Sequence, residues 1–215
     1  MQLGVKKLTG LTRLVASAHD RDWLRIVMPA FLGGDLSHVL DNDGDGKGMP
    51  EEAAQFYAGC LVLALSKLHD MGVAYRDLKP ENVLLSADGW PVLSDFGLVA
   101  FLGEEGRPVN AAAVEAREGE GGSSSARTYS MVGTPEFMAP EVVAGSGHDT
   151  DADWWGLGVT VCELLTLNTP FRIVDADPNS GAGINDMYSA IMQVRLSPHP
   201  SFPHPSTLLT SPPSL

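Results

Sequence analysis

Tyr75-Arg76-Asp77-Leu78-Lys79-Pro80-Glu81-Asn82 is the stretch on which the fold of this chain turns. A long run with helical spacing precedes it and a short apolar run follows, so it reads as a loop between a helix and a strand. Within one tight turn it gathers a carboxylate (Asp77), an ammonium (Lys79) and an amide (Asn82). A carboxylate in reach of a hydroxyl can orient it and take its proton. An ammonium can stand against a phosphate, and an amide oxygen is a hard donor for a metal ion. A second carboxylate follows in Asp95-Phe96-Gly97. Oxygens from Asn82 and Asp95 suit Mg²⁺ bridging phosphate oxygens, as phosphoryl transfer from ATP requires.

The elements around this loop are legible in outline. Residues 49–70 carry the strongest helical signal, with Pro50 in the first turn and Glu51 and Glu52 beside the positive helix end. Residues 83–85 and 91–94 read as short strands about the turn Ala87-Asp88-Gly89. Upstream, 11–18 and 23–30 read as two strands about His19-Asp20-Arg21-Asp22, and 35–40 as a short helix. Downstream, 154–167 is apolar nearly all round and reads as a buried helix, with a weaker helix over 184–194. Residues 103–125 are rich in Gly, Glu, Ser and Ala and read as a flexible insertion. From Ser197 onward Pro and Ser dominate, and no fixed structure is expected.

Composition narrows the partners. The chain has 215 residues, enough for one sizeable domain, and a formal net charge of −13. A nucleic-acid partner is not expected, because phosphate-backbone affinity needs a basic face. An acidic surface favours basic partners, including basic peptides. Cys60 and Cys162 lie in apolar helical stretches and read as buried free thiols. They fit a reducing compartment, the cytoplasm first and the nucleus second. No apolar run is long enough to span a bilayer. Residues 1–18 are basic, but Gly4, Lys6, Lys7 and Arg13 break the apolar centre a secretory signal needs.

Four blocks in order resemble the eukaryotic-type serine/threonine protein kinases. The first is the loop at Asp77, with Tyr75 where most kinases have His, a form similar to the AGC group that holds the cyclic-nucleotide-dependent kinases. Lys79, two residues after Asp77, marks the Ser/Thr-specific branch. The second is Asp95-Phe96-Gly97. The third is Gly133-Thr134-Pro135-Glu136-Phe137-Met138-Ala139-Pro140-Glu141, and the fourth is Asp153-Trp154-Trp155-Gly156-Leu157-Gly158. The resemblance implies that Asp77 is the catalytic base, that Lys79 contacts the transferred phosphate and that Thr134 braces both. Asn82 and Asp95 would be the metal ligands. Asp153 would hold the catalytic-loop backbone, a role compatible with its also capping the helix before Trp154.

The same resemblance implies a nucleotide site. Met28 would be the gatekeeper beside the adenine, with Pro29 and Phe31 in the hinge and Leu84 beneath the base. Asp35 would bind a ribose hydroxyl, its alternative being the N-cap of the short helix. Glu81 falls on both the nucleotide and the substrate side. Glu81 and Glu163 match positions that receive substrate arginines in basic-directed relatives, so basic residues are expected upstream of the target Ser or Thr. Ser130 stands where the AGC group carries an activating phosphosite, implying an upstream kinase and a phosphate held by Arg76. Asp41-Asn42-Asp43-Gly44-Asp45-Gly46 with Glu52 satisfies a calcium-loop pattern, but Gly48, Pro50 and the lack of a second such loop weigh against calcium.

The expected fold is α+β: a mainly helical kinase large lobe (32–196, with the insertion 103–125), a small-lobe remnant of two strands and the hinge (1–31), and a Pro/Ser-rich tail (197–215). No glycine-rich loop, strand lysine or paired helical glutamate precedes Leu11, so the chain reads as beginning just after that glutamate. The expected activity is transfer of the ATP γ-phosphate to protein Ser/Thr hydroxyls. The alternative is a non-catalytic, kinase-like interaction module.

Overall fold

A computed structural model of the chain describes residues 10–41, 46–102, 127–172 and 181–194. Five helices and six short strands run in chain order: β1 (Ala16–His19), β2 (Leu24–Val27), α1 (Leu36–Asp41), α2 (Glu51–Asp70), β3 (Val73–Ala74), β4 (Val83–Leu85), β5 (Pro91–Leu93), β6 (Ala100–Phe101), α3 (Pro140–Val143), α4 (Asp151–Thr166) and α5 (Gly181–Met192). Among the described residues the strands pair in three antiparallel, two-stranded sheets: β1 with β2, β3 with β6 and β4 with β5.

α2 forms because its apolar residues recur at helical spacing. Ala54, Leu61, Ala64, Leu65 and Leu68 make one buried stripe, with acids in the first turn and Lys67 and His69 in the last. Pro50 caps the helix from outside; its carbonyl accepts from the Ala53 and Ala54 amides. Gly72 ends it in a left-handed conformation, φ +68°, where a Cβ would meet the Leu102 carbonyl oxygen at 2.5 Å. That close approach lets β6 pair with β3, Leu102 N–H donating to the Gly72 carbonyl at 2.6 Å.

The main core joins α2 to α4 beneath the loop between β3 and β4. Leu61, Leu65, Tyr75, Leu78, Val83, Leu93, Leu157 and Leu164 are all buried in it. A second cluster under α5 contains Phe137, Val159, Phe171, Met187 and Ile191.

Several boundaries move. The strand expected over 11–18 shrinks to Ala16–His19, because Leu11 instead forms a parallel bridge to Leu93. Thr12 N–H donates to the Leu93 carbonyl, and Leu93 N–H to that of Gly10. The helix expected from Trp154 begins at Asp151, because Asp153 lies inside its first turn and Thr150 is the capping residue. Cys60 and Cys162 are free but half-buried rather than buried, and burial pushes both thiols above their ordinary range. No helix among the described residues is long and apolar enough to cross a membrane. The insertion 103–125, the tail 197–215 and residues 42–45 of the calcium-like loop lie outside the described residues.

Candidate active site

The loop Tyr75–Asn82 is held from below by one carboxylate. Asp153, on α4 and 2% exposed, accepts from Tyr75 N–H at 2.8 Å and from Arg76 N–H at 2.7 Å. The same side chain meets His69 Nε2 at 2.7 Å, tying in the end of α2. Asp153 therefore holds the loop backbone and does not cap the helix. Arg76 pays for the tight turn with a left-handed φ of 70°. Tyr75 is fully buried; its hydroxyl donates to the Ser94 carbonyl and its ring meets Phe96 edge-on. Burial first, then the charges of Asp77, Asp95 and Asp153, push its phenol above the ordinary range.

Asp77 sits above this base with both oxygens engaged. Oδ1 accepts from the Thr134 amide at 3.0 Å and from the Thr134 hydroxyl at 2.8 Å. Oδ2 accepts from Asn82 Nδ2 at 2.8 Å and lies 3.4 Å from Lys79 Nζ. Lys79 Nζ also donates to the Thr134 hydroxyl at 2.7 Å. Thr134 thus touches both charged groups across 55 to 57 residues of sequence. Its approach depends on Gly133, φ +116°, where a Cβ would lie 2.7 Å from the Arg76 carbonyl oxygen.

The amide of Asn82 is oriented by its two bonds to Asp77, through Oδ2 and the backbone carbonyl, both 2.8 Å. Both use the nitrogen and leave the amide oxygen for another partner. Ser94 donates twice to the Asn82 carbonyl, at 2.9 Å from its amide and 3.0 Å from its hydroxyl, so its neighbour Asp95 is drawn beside Asn82. Asp95 is exposed, with φ +50° and one oxygen on the Gly97 amide. Two hard oxygen donors, one just before β4 and one just after its partner β5, fit an ion such as Mg²⁺ that keeps water and phosphate as its other ligands. No cluster of three or more His, Cys, Asp or Glu occurs among the described residues.

On the nucleotide side, Asp35 and Leu84 are brought together as an antiparallel bridge, and both are half-buried. Asp35 Oδ1 accepts from His38 N–H at 2.8 Å, so the capping role exists whatever else the carboxylate binds. Pro29 and Phe31 are half-buried and Met28 is 40% exposed.

On the substrate side, Glu163 is half-buried, and its Oε2 has no hydrogen-bond partner among the described residues. Burial, then Glu81 and Glu136, push its carboxyl up to about 7, against a smaller opposing pull from Arg172. Glu81 itself is exposed on the short 3-10 turn Pro80–Asn82.

Arg76 Nη1 donates to the Ser130 hydroxyl at 2.6 Å and to that of Thr128 at 3.3 Å. Its remaining bonds go to the Leu98 carbonyl at 2.6 Å and the Val99 carbonyl at 3.5 Å. Sequence reasoning passed over Thr128, His148 and His69. No local motif marks them, since each acquires its neighbours only through pairing over long stretches of chain.

Comparison with known proteins agrees with this geometry. Residues 5–212 match the protein kinase domain family. The chain is 36% identical over 165 residues to cGMP-dependent protein kinase 2 of Rattus norvegicus, covering 77% of this chain and 19% of that protein. It is 39% identical over 173 residues to serine/threonine-protein kinase nrc-2 of Neurospora crassa, covering 75% and 27%. It is 42% identical over 148 residues to Phototropin-2 of Oryza sativa subsp. japonica, covering 65% and 16%. The chain thus spans between 16% and 27% of these relatives' own length. With the family matched across nearly all of it, the chain belongs to the protein kinases, on their serine/threonine-specific, AGC-like branch.

Proposed function

We propose that this chain transfers the γ-phosphate of ATP to Ser or Thr hydroxyls of protein substrates, with basic residues upstream of the target. The observation that carries the proposal is the placement of Asp77. Its carboxylate is fixed by Thr134 and Asn82 with Lys79 beside it, on a loop anchored through Asp153. In the reaction, Asp77 accepts the hydroxyl proton as the substrate oxygen bonds to the γ-phosphorus and the bond to the ADP oxygen breaks. Lys79 stands against the charge on the transferred group, and Thr134 keeps base and cation in register. Asn82 and Asp95 would hold Mg²⁺, which neutralises phosphate charge. Met28, Pro29, Phe31, Leu84 and Asp35 would receive adenine and ribose. Glu81 borders the ribose and, with Glu163, receives a substrate arginine. Ser130 would be phosphorylated by an upstream kinase, and we place the protein in the cytoplasm.

The test is a radiolabelled-ATP assay of the purified chain with Mg²⁺ and an Arg-containing Ser peptide, beside Asp77→Asn. We expect incorporation that falls by at least about 100-fold in the variant, the usual contribution of a positioned general base. Equal incorporation by both proteins overturns the role of Asp77. Failure of the wild type to bind ATP overturns the catalytic reading and favours an interaction module.

A further inference from the structure

The contact between Arg76 and Ser130 poses a problem of charge. A phosphate there brings roughly −1.5 to −2 charges at pH 7, and Arg76 supplies only one positive charge against it. Among the described residues Arg76 is the cation shown in contact with Ser130, and a part-buried dianion facing one cation is left under-compensated. Arg76 spends its guanidinium on neutral acceptors, two carbonyls and two hydroxyls.

A second group stands beside it. Thr128 and His148 face each other in an antiparallel bridge, each amide donating to the other's carbonyl at 2.8 Å. Directly opposed residues carry their side chains on the same face, about 5 Å apart at Cβ. The Thr128 hydroxyl lies 3.3 Å from Arg76 Nη1 and 3.2 Å from the Ser130 hydroxyl. His148 therefore shares a face with the hydroxyl that touches both. It is 3% exposed, and its Nε2 has no hydrogen-bond partner among the described residues. Such an atom is rare in a buried setting and calls for a partner. Arg76, His148 and Asp153 also line one small cavity of about 20 Å³, which gives the imidazole room to adjust.

We propose that Arg76 and His148 together form a two-cation cradle for a phosphate on Ser130, with the Thr128 hydroxyl as a third donor. The inference rests on the reading of Ser130 as a phosphoacceptor. Modification moves the γ-phosphoryl group of ATP from ADP to the Ser130 oxygen, whose proton leaves to solvent. The imidazole then takes a proton from solvent at Nε2 and, as an imidazolium, donates an Nε2–H hydrogen bond to a phosphate oxygen.

The local charges fit a switch that phosphorylation throws. Before modification, burial and then Arg76 on the catalytic loop hold His148 neutral, at a pKa of about 4. Asp153 on α4 and Asp149 in its own loop pull the other way, and Asp149 lies 4.0 Å from Arg127. A phosphate placed between Arg76 and His148 cancels the repulsion that keeps the imidazole neutral.

The experiment installs phosphoserine at position 130 of the full 215-residue chain and follows the imidazole of His148 by ¹⁵N NMR. The ring is assigned from its own backbone amide, so no variant is needed for the primary comparison. We expect His148 to be mainly neutral at pH 5 in the unmodified protein and mainly protonated at that pH in the phosphoprotein. The midpoint should rise by about two pH units, a hundredfold in proton affinity. In ³¹P spectra the second ionisation of the phosphoserine should fall below its usual value of about 6 and return toward it in His148→Gln. A His148 midpoint that is the same in both proteins overturns the cradle. The reading of Ser130 fails separately: a phosphoprotein with the shifted histidine but unaltered kinase activity overturns activation by Ser130 while the cradle stands.

Discussion

Asp153 does more for the site than its place on a helix suggests. Its buried carboxylate is the shared partner of two loop amides and of His69, the Tyr75 bond fully buried and the Arg76 and His69 contacts partly so. Removing it leaves two buried N–H groups without partners, each costing about 1–3 kcal/mol. Asp153→Ala should therefore lower unfolding stability by about 2–5 kcal/mol, read from urea denaturation, while Asp153→Asn, which keeps one acceptor, should lose less. A loss below about 0.5 kcal/mol for the alanine variant would mean the amides find other partners. Sequence alone could assign Asp77, Lys79 and Asn82 because the chemistry needs them within one turn. It could pair Asp153 with the loop only through family resemblance, since the two stand 77 to 78 residues apart. His148 had no such help, and its setting exists only because residues 128 and 148 pair as a bridge.

At the scale of elements, length decided what was legible. α2 repeats its apolar stripe over 20 residues, and the expected helix lies within two residues of it. β3 and β6 have two residues each and α3 has four, too few for either period to declare itself. The apolar run of α4 marks the helix but not its start, because Asp151 and Asp153 in the first turn add no apolar signal. The same helix carries Glu163, and there pH becomes informative. The folded chain holds a proton on Glu163 up to about pH 7, whereas an unfolded chain releases it near 4.5. The folded state thus binds more protons between those values, so this stabilisation is full below pH 4.5 and is lost as pH rises through 7. His148 runs the opposite way, its pKa lowered from 6.5 to about 4, so its contribution is lost as pH falls through that window. Above pH 6.5 the His148 slope fades, and the difference between wild type and Glu163→Gln isolates that of Glu163. Between pH 6.5 and 8, wild type should therefore lose more stability than Glu163→Gln, as measured by denaturant midpoints. Parallel curves would mean the carboxyl ionises normally. Affinity for an Arg-containing peptide should rise over the same interval, because only the ionised carboxylate pairs with guanidinium.

Across the whole molecule, burial is uneven, and the unevenness follows the function. The residues around Asp77 stand on the core that joins α2 to α4. The β1–β2 hairpin, by contrast, is exposed along all eight of its residues, and Trp23, Leu24 and Ile26 are 68%, 70% and 59% exposed. Two apolar stretches about the polar turn His19-Asp20-Arg21-Asp22 make that hairpin readable in the sequence, but nothing in the sequence says that its residues stay exposed. A lone two-stranded hairpin is marginal in water, because it buries too little apolar surface to offset the ordering of its backbone. The cores of α2 and α4 open only with the whole domain, whereas the hairpin can open by itself. In native-state hydrogen exchange, amides of Ala16–His19 and Leu24–Val27 should therefore exchange at least about 100-fold faster than those of Leu61, Leu65 and Leu164. Protection of the hairpin equal to that of the helices would mean its apolar faces are covered in solution. Repeating the exchange at tenfold dilution separates the causes: protection lost on dilution belongs to contact between copies, and protection that persists belongs to the chain itself.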